Sequence, residues 1–256
     1  MQFWSLAGVT GYEEARQLQL KLVEARARDL IPDTVLFLEH RPVITRGRGL
    51  QLTGEERPRH MPVGALPKDV EFAESERGGD LTYHGPGQLV IYPICKLDGQ
   101  GFGPKHDIGG FIRKLEQVLI DELAARSIHA DSKRGATGVW VGARKIASIG
   151  IAVKRWVTYH GAAINCVNNL APFMLISPCG FSPDVMTSLR HLQPLGAYWR
   201  EELETALSAR MAAVGRDAKV VRMSVAQASA LVPAVAAAAI AAPPSVTESS
   251  PRDAQV

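Results

Sequence analysis

The chain lacks a cysteine framework. Cys95, Cys166 and Cys179 form no CxxC pair and leave one thiol over, which excludes a disulfide-stapled scaffold and points to a reducing compartment. Closely spaced metal ligands are missing too. Histidines stand at 40, 60, 84, 106, 129, 160 and 191, none at the separation of a helix-borne or finger-type zinc site, so no metal is expected. No sign of charge dominates, with 29 basic against 26 acidic side chains for a net of +3. That balance argues against a nucleic-acid stripe or a membrane-surface helix. Long apolar runs are absent: residues 230–242 are mostly alanine, include Pro233, and fall short of the roughly 20 residues a bilayer span needs. Residues 1–10 show no basic segment followed by an apolar core, so a cytoplasmic location is expected.

What is present suits one sizeable core with appendages, since 256 residues are few for two large domains. Ala15, Leu18, Leu22 and Ala25 recur at helical spacing and predict an amphipathic helix over 12–30. An apolar run at 34–38 predicts a buried strand, followed by a polar loop over 46–67. Strands are expected over 70–75, 81–83 and 89–94, separated by turns at 77–79 and 84–87. Helical spacing returns strongly from Ile108 through Phe111, Leu115, Val118, Leu119 and Leu123. Strands follow over 138–141, 145–153 and 156–166, the first two joined at Gly142-Ala143 in a hairpin, and a last helix over 195–214. Strands clustered on either side of one long helix predict an α+β fold. From about Gln227 the composition turns to Ala, Pro and Ser, which divides the chain into a folded domain over 1–226 and a disordered tail over 227–256.

Two residues are candidates for covalent chemistry. Cys179 sits in Ser177-Pro178-Cys179-Gly180, where proline and glycine present the thiol on a loop; it is a nucleophile or a chance thiol in a turn. Cys95 and Cys166 lie in apolar strand context and read as small buried hydrophobes. A thiol of pKa about 8.5 needs a neighbouring cation to become a good nucleophile, each unit of depression requiring about 1.4 kcal/mol. Lys145 opens a strand beside the Gly142 turn and could supply that charge, or could be a solvated strand-end lysine, the reading that suits Arg144. An internal echo also stands out. Thr82-Tyr83-His84-Gly85 recurs as Thr158-Tyr159-His160-Gly161, so two strands could present a Tyr-His pair to one rim, or the histidines could be hydrogen-bonded struts.

Arg77-Gly78-Gly79-Asp80-Leu81-Thr82-Tyr83-His84-Gly85-Pro86-Gly87-Gln88-Leu89-Val90, followed by Tyr92-Pro93, resembles the signature of the lipoyl(octanoyl) transferases. The resemblance continues in order through Gly138-Val139-Trp140-Val141, residues 145–150, residues 158–163 and Pro178-Cys179-Gly180, covering about 3–211. Asn168-Asn169-Leu170 departs from it, the family usually having an aspartate before the leucine.

The resemblance implies a mixed β-sheet flanked by helices, like the catalytic domains of biotin and lipoate protein ligases, with an acyl tunnel beside the sheet. It makes 1–226 a catalytic domain, Cys179 the acyl-thioester nucleophile and Lys145 its partner in a cysteine-lysine dyad. Substrate contacts fall to Arg77, Gly78, Gly79, Asp80, Leu81, Thr82, Tyr83 and His84, to Ser148, Ile149 and Gly150, and to His160, Gly161, Ala162 and Ala163. The implied donor is octanoyl-acyl carrier protein. The implied acceptors are lipoyl domains of 2-oxoacid dehydrogenase complexes and the glycine-cleavage H protein, with no cofactor and no ATP. Backbone N–H groups of Gly180 or of the Gly78-Gly79 turn are candidate oxyanion donors. Carrier docking would draw on Arg46, Arg48, Arg144, Lys154 or Arg155. Rival readings are an ATP-dependent lipoate or biotin ligase of the same fold, a non-catalytic acyl-binding protein, and a cysteine hydrolase. The last lacks an identifiable histidine and its orienting partner.

Overall fold

The computed structural model describes residues 1–49, 66–176, 185–212 and 218–240, with side chains to 232 in the last stretch. Strand β1 (Gln2–Thr10) leads through helix α1 (Tyr12–Ala27) into strand β2 (Thr34–His40), and the two strands pair in parallel. Glu13 and Glu14 in the first turn of α1 complement its dipole. Strands β3 (Val43–Arg46), β4 (Glu71–Glu74) and β5 (Leu81–His84) form a small separate sheet in the order β4-β3-β5. Strand β6 (Gln88–Ile94) rejoins the main sheet antiparallel to β2.

Helix α2 (Ile108–Ala125) starts at Asp107, whose carboxylate accepts the Gly110 N–H at 2.7 Å. After it, β7 (Asp131–Lys133), β8 (Ala136–Val141), β9 (Arg144–Lys154) and β10 (Val157–Asn165) run antiparallel, β8 and β9 closing the expected hairpin at Gly142. A 3-10 turn (Ala171–Leu175), a short helix α3 (Leu189–Leu192), helix α4 (Trp199–Met211), strand β11 (Val220–Met223) and helix α5 (Val225–Ile240) complete the chain. The main sheet has eight strands in the order β11-β1-β2-β6-β10-β9-β8-β7.

Helices cover both faces of that sheet. Phe111, Leu115 and Leu119 of α2 and Leu203 and Leu207 of α4 pack with Val35, Phe37, Leu89 and Ile91 on one face. On the other face, Leu18 and Leu22 of α1 and Ala228 and Val232 of α5 pack with Leu36, Leu38 and Val90. Consecutive residues of β2 thus point to opposite cores, as a pleated strand requires. The α+β expectation holds.

The strands expected between 70 and 94 form and divide between two sheets, because β5 pairs with β3 while β6 pairs with β2 and β10. Two expectations change. Helix α4 runs over Trp199–Met211 and not 195–214, starting after Pro194 and Gly196. Residues 227–240, assigned to a disordered tail, belong to α5, because alanine has the strongest helix propensity and Ala228 and Val232 bury against the core. Most of the loop expected over 46–67 and tail residues 241–256 lie outside the described residues. Among the described residues no helix is long and apolar enough to cross a membrane.

Candidate active site

A cavity open at its mouth lies between the main sheet and the turn that precedes β5. The β9–β10 register sets Gly150 opposite Gly161, Ile149 opposite Ala162 and Ser148 opposite Ala163, and all six line the cavity. Facing them are Arg77, Gly78, Gly79, Leu81, Thr82 and His84. A Cβ on Gly150 would meet the Gly78 carbonyl oxygen at 2.7 Å, so the turn can lie against β9 only where β9 has no side chain. His160 completes the β10 contribution, and Lys145 also reaches the cavity.

Two expected contacts do not reach the lining, and two unexpected ones do. Tyr83 packs edge-on against Phe173 behind β5, at 5.6 Å between ring centres, and Asp80 is buried with its carbonyl accepting from Arg77 at 2.7 Å. In the repeated Thr-Tyr-His-Gly segments each histidine lines the cavity and its tyrosine does not. Tyr83 packs behind β5, whereas Tyr159 joins the core beneath α1 and keeps its ring 4.8 Å from that of His160. The tyrosines that line the cavity are Tyr12 and Tyr92, from α1 and β6. Alternation along β6 marks Tyr92; only the tertiary placement of α1 marks Tyr12.

His84 and His160 on the cavity wall and His40 behind them form a polar cluster. His40 Nδ1 donates to the Thr10 carbonyl at 3.0 Å, which leaves Nε2 to accept the Tyr92 hydroxyl at 2.8 Å. Burial lowers the His40 pKa to about 4, and burial likewise lowers those of His84 and His160. His84 is held by Gln88 at 2.7 Å, and His160 lies 3.3 Å from Glu76, itself paired with Arg16. His160 has φ +56, a left-handed conformation within β10, and its N–H is taken by the Gln19 side chain at 2.6 Å. Such strain, of order 1 kcal/mol, is concentrated at functional sites. The Tyr12 hydroxyl is buried and has no hydrogen-bond partner of normal geometry among the described residues. Burial raises its pKa against weaker opposing effects of Ser75 and Arg77.

Arg77 lines the cavity with its guanidinium already engaged: it donates to the carbonyls of Thr45, Gly78 and Asp80 and to the Thr45 hydroxyl, at 2.7–3.3 Å. It braces the turn against β3. The Gly78 N–H donates to the Ile151 carbonyl at 2.9 Å, so that amide is committed to the fold and not to an oxyanion. Among the basic candidates for docking, Arg46 pairs with Glu74 and Arg155 with Glu24.

Lys145 is 2% exposed and is therefore no solvated strand-end lysine, whereas Arg144 is exposed. Its ammonium lies 5.4 Å from the centre of the Trp140 ring. Cys179 and Gly180 lie outside the described residues. The chain is described again from Val185, where Met186 bridges to Lys145 and the Thr187 N–H donates to the Lys145 carbonyl at 2.9 Å. Cys95 and Cys166 are buried, and burial raises both pKa values, that of Cys166 to about 12, which keeps these thiols protonated. Asn169, where an aspartate was expected, accepts the Ala171 N–H at 3.0 Å; the position needs an oxygen and no charge.

The fold is that of the lipoate protein ligase catalytic domains. The bipartite lipoate protein ligase of Thermoplasma acidophilum superposes with a TM-score of 0.61 at 14% identity, over 90% of this chain and 91% of that one. Lipoate-protein ligase A bound with ATP does so with a TM-score of 0.61 at 15% identity, over 91% and 94%. At that identity the likeness speaks for the fold alone. Sequence narrows it, for residues 11–209 match the lipoyl protein ligase A/B catalytic domain, and the chain belongs to that family. An octanoyltransferase of Syntrophobacter fumaroxidans is 42% identical over 190 residues, 72% of this chain and 78% of that protein. One from Gloeobacter violaceus is 44% identical over 177 residues, 69% and 73% of the two chains.

Proposed function

We propose that the protein is an octanoyltransferase that takes an octanoyl group from octanoyl-acyl carrier protein onto Cys179. It then passes the group to the lysine ε-amine of lipoyl domains and of the glycine-cleavage H protein. The observation that carries this reading is Lys145, a buried lysine on the wall of a partly apolar cavity, in a chain 42% identical to an octanoyltransferase across 190 residues. Leu81, Ile149, Ala162 and Ala163 supply apolar surface for an acyl chain. Burying the six methylenes of an octanoyl chain at about 0.8 kcal/mol each is worth roughly 5 kcal/mol before ordering costs. We assign the catalytic unit to 1–226, and α5 begins within it and continues the packing against α1. Buried free thiols at Cys95 and Cys166 suit a reducing, cytoplasmic setting.

In the first step the Cys179 thiolate attacks the thioester carbonyl. A carbon–sulfur bond to Cys179 forms, the bond to the carrier's pantetheine sulfur breaks, and the released thiolate takes a proton. The acceptor amine then attacks the acyl-enzyme, an amide bond forms and the Cys179 sulfur leaves. Lys145 serves twice. As a cation it favours the thiolate; once neutral it accepts the amine's proton and returns it to the departing sulfur. Thioester-to-thioester exchange is nearly balanced and thioester-to-amide transfer runs downhill, so no ATP enters.

The test is intact-protein mass after incubation with octanoyl-acyl carrier protein, without ATP. The expected result is a hydroxylamine-labile gain of one octanoyl group, absent in Cys179→Ser and slowed in Lys145→Ala. An unmodified wild type whose lipoyl-domain acceptor also stays unmodified would overturn the reading and favour an ATP-dependent ligase.

A further inference from the structure

Helix α2 buries two carboxylates among its apolar residues, and only one is explained by arginines. Glu122 accepts from Arg126 at 2.7 Å and from Arg210 at 2.9 Å. Glu116, 7% exposed, has no such pair among the described residues; its hydrogen bond comes from the Gly138 N–H at 2.9 Å. A buried carboxylate needs compensation by donors or by charge. Burial raises the Glu116 pKa, while the Gly138 N–H and then the charge of Lys145 oppose that, with a smaller effect from Arg113 on the same helix.

Gly138 joins the two charged residues. It lies on β8 with φ +127, and a Cβ built there would meet the Lys145 Cε at 2.5 Å and Nζ at 3.3 Å. The N–H of this glycine thus holds Glu116, and the space left by its missing side chain holds the end of Lys145. Among the described residues, Trp140 of β8 lies beneath the ammonium, Lys133 of β7 lies over the same ring at 4.3 Å, and the Glu116 carboxylate of α2 feels the lysine's charge.

We propose that Glu116 is a positioning residue for Lys145, its carboxylate steering the lysine's ammonium to the cavity wall and favouring the cationic form there. The inference rests on the proposed role of Lys145. It accounts for a charged residue on the buried face of α2 and for a glycine within β8, neither of which lines the cavity. It also assigns each partner a distinct part: Lys145 handles the protons, and Glu116 sets how readily Lys145 gives one up.

The experiment compares kcat and KM against pH for wild type, Lys145→Ala, Glu116→Gln and Glu116→Asp in the full chain, with octanoyl-acyl carrier protein and a lipoyl domain. The limb of the profile that disappears in Lys145→Ala belongs to the lysine. Glu116→Gln keeps an oxygen for the Gly138 N–H and removes the charge. It is expected to leave KM within about twofold, lower kcat about 10- to 100-fold and move that limb about 0.5–1 unit to lower pH. Glu116→Asp, which keeps the charge one methylene further back, should recover part of both effects. If Glu116→Gln does not fold, Glu116→Asp decides, by a smaller shift in the same direction. A limb that does not move, whatever happens to kcat, makes Glu116 a structural strut and overturns the inference. A wild type that forms acyl-enzyme but has no Lys145-dependent limb overturns it together with the role of Lys145, whereas failure to form acyl-enzyme at all counts against the proposed function itself.

Discussion

Thr187 donates its amide to the carbonyl of Lys145 at 2.9 Å, which ties the chain eight residues beyond Cys179 to the strand that carries the lysine. The Thr187 carbonyl in turn accepts from Asn165 at 3.0 Å, and Asn165 accepts from Gln88 at 2.9 Å and Asn168 at 3.1 Å. One buried amide therefore joins β6, β10 and the segment after Cys179. Asn165→Ala would strand several buried polar groups at about 1–3 kcal/mol each, so a loss of about 2–4 kcal/mol is expected in urea unfolding, with kcat falling more than KM rises. Stability within 0.5 kcal/mol of wild type would show that the network is not needed.

Tyr12 carries a buried hydroxyl at the cavity wall with no hydrogen-bond partner of normal geometry among the described residues. Tyr12→Phe removes a group that those residues satisfy poorly, so its melting should match or exceed wild type, within about 1 kcal/mol. If substrate supplies the missing partner, KM for octanoyl-acyl carrier protein should rise about 3- to 10-fold, the worth of one net hydrogen bond. A clear drop in melting temperature with unchanged KM would assign the hydroxyl to the fold.

Acid should loosen the protein through its buried histidines. The His40 pKa is about 4 in the folded state against 6.5 for the free side chain, so below pH 6.5 the unfolded chain binds a proton that the folded one refuses. The stability conferred by neutral His40 is complete above pH 6.5 and falls by up to about 1.4 kcal/mol per unit as pH drops toward 4, roughly 3 kcal/mol in all. His84 and His160 act in the same direction. Urea unfolding between pH 7.5 and 4.5 measures this; a flat profile down to pH 5 would contradict it.

Truncation distinguishes α5 from residues 241–256. A chain ending at residue 240 should melt like the full one. Ending at 226 removes Ala228 and Val232 from the core against α1 and should reduce stability by about 2–3 kcal/mol. Equal stability of both would mean that α5 adds nothing.

Periodic and local features were legible from the residues alone. The spacing of Leu115, Leu119 and Leu123 marked α2, Gly142 marked the hairpin, and the Arg77-to-Val90 motif marked the wall of the cavity. Less legible were β1 and β11, because a parallel edge of the sheet carries no turn signal. Nothing in the sequence singles out Glu116, since its burial depends on which side of α2 meets the sheet.

The sequence by itself determined the α+β class, the family and the order of the motifs, because these arise from local pattern and residue identity. Tertiary structure alone decided which histidines share a wall, that Tyr83 and Tyr159 turn away while Tyr12 and Tyr92 turn in, and that Lys145 is buried beside Glu116. Each of those facts depends on strand pairing between residues far apart in the chain. Pairing is set by how whole faces bury together, and no single segment encodes it.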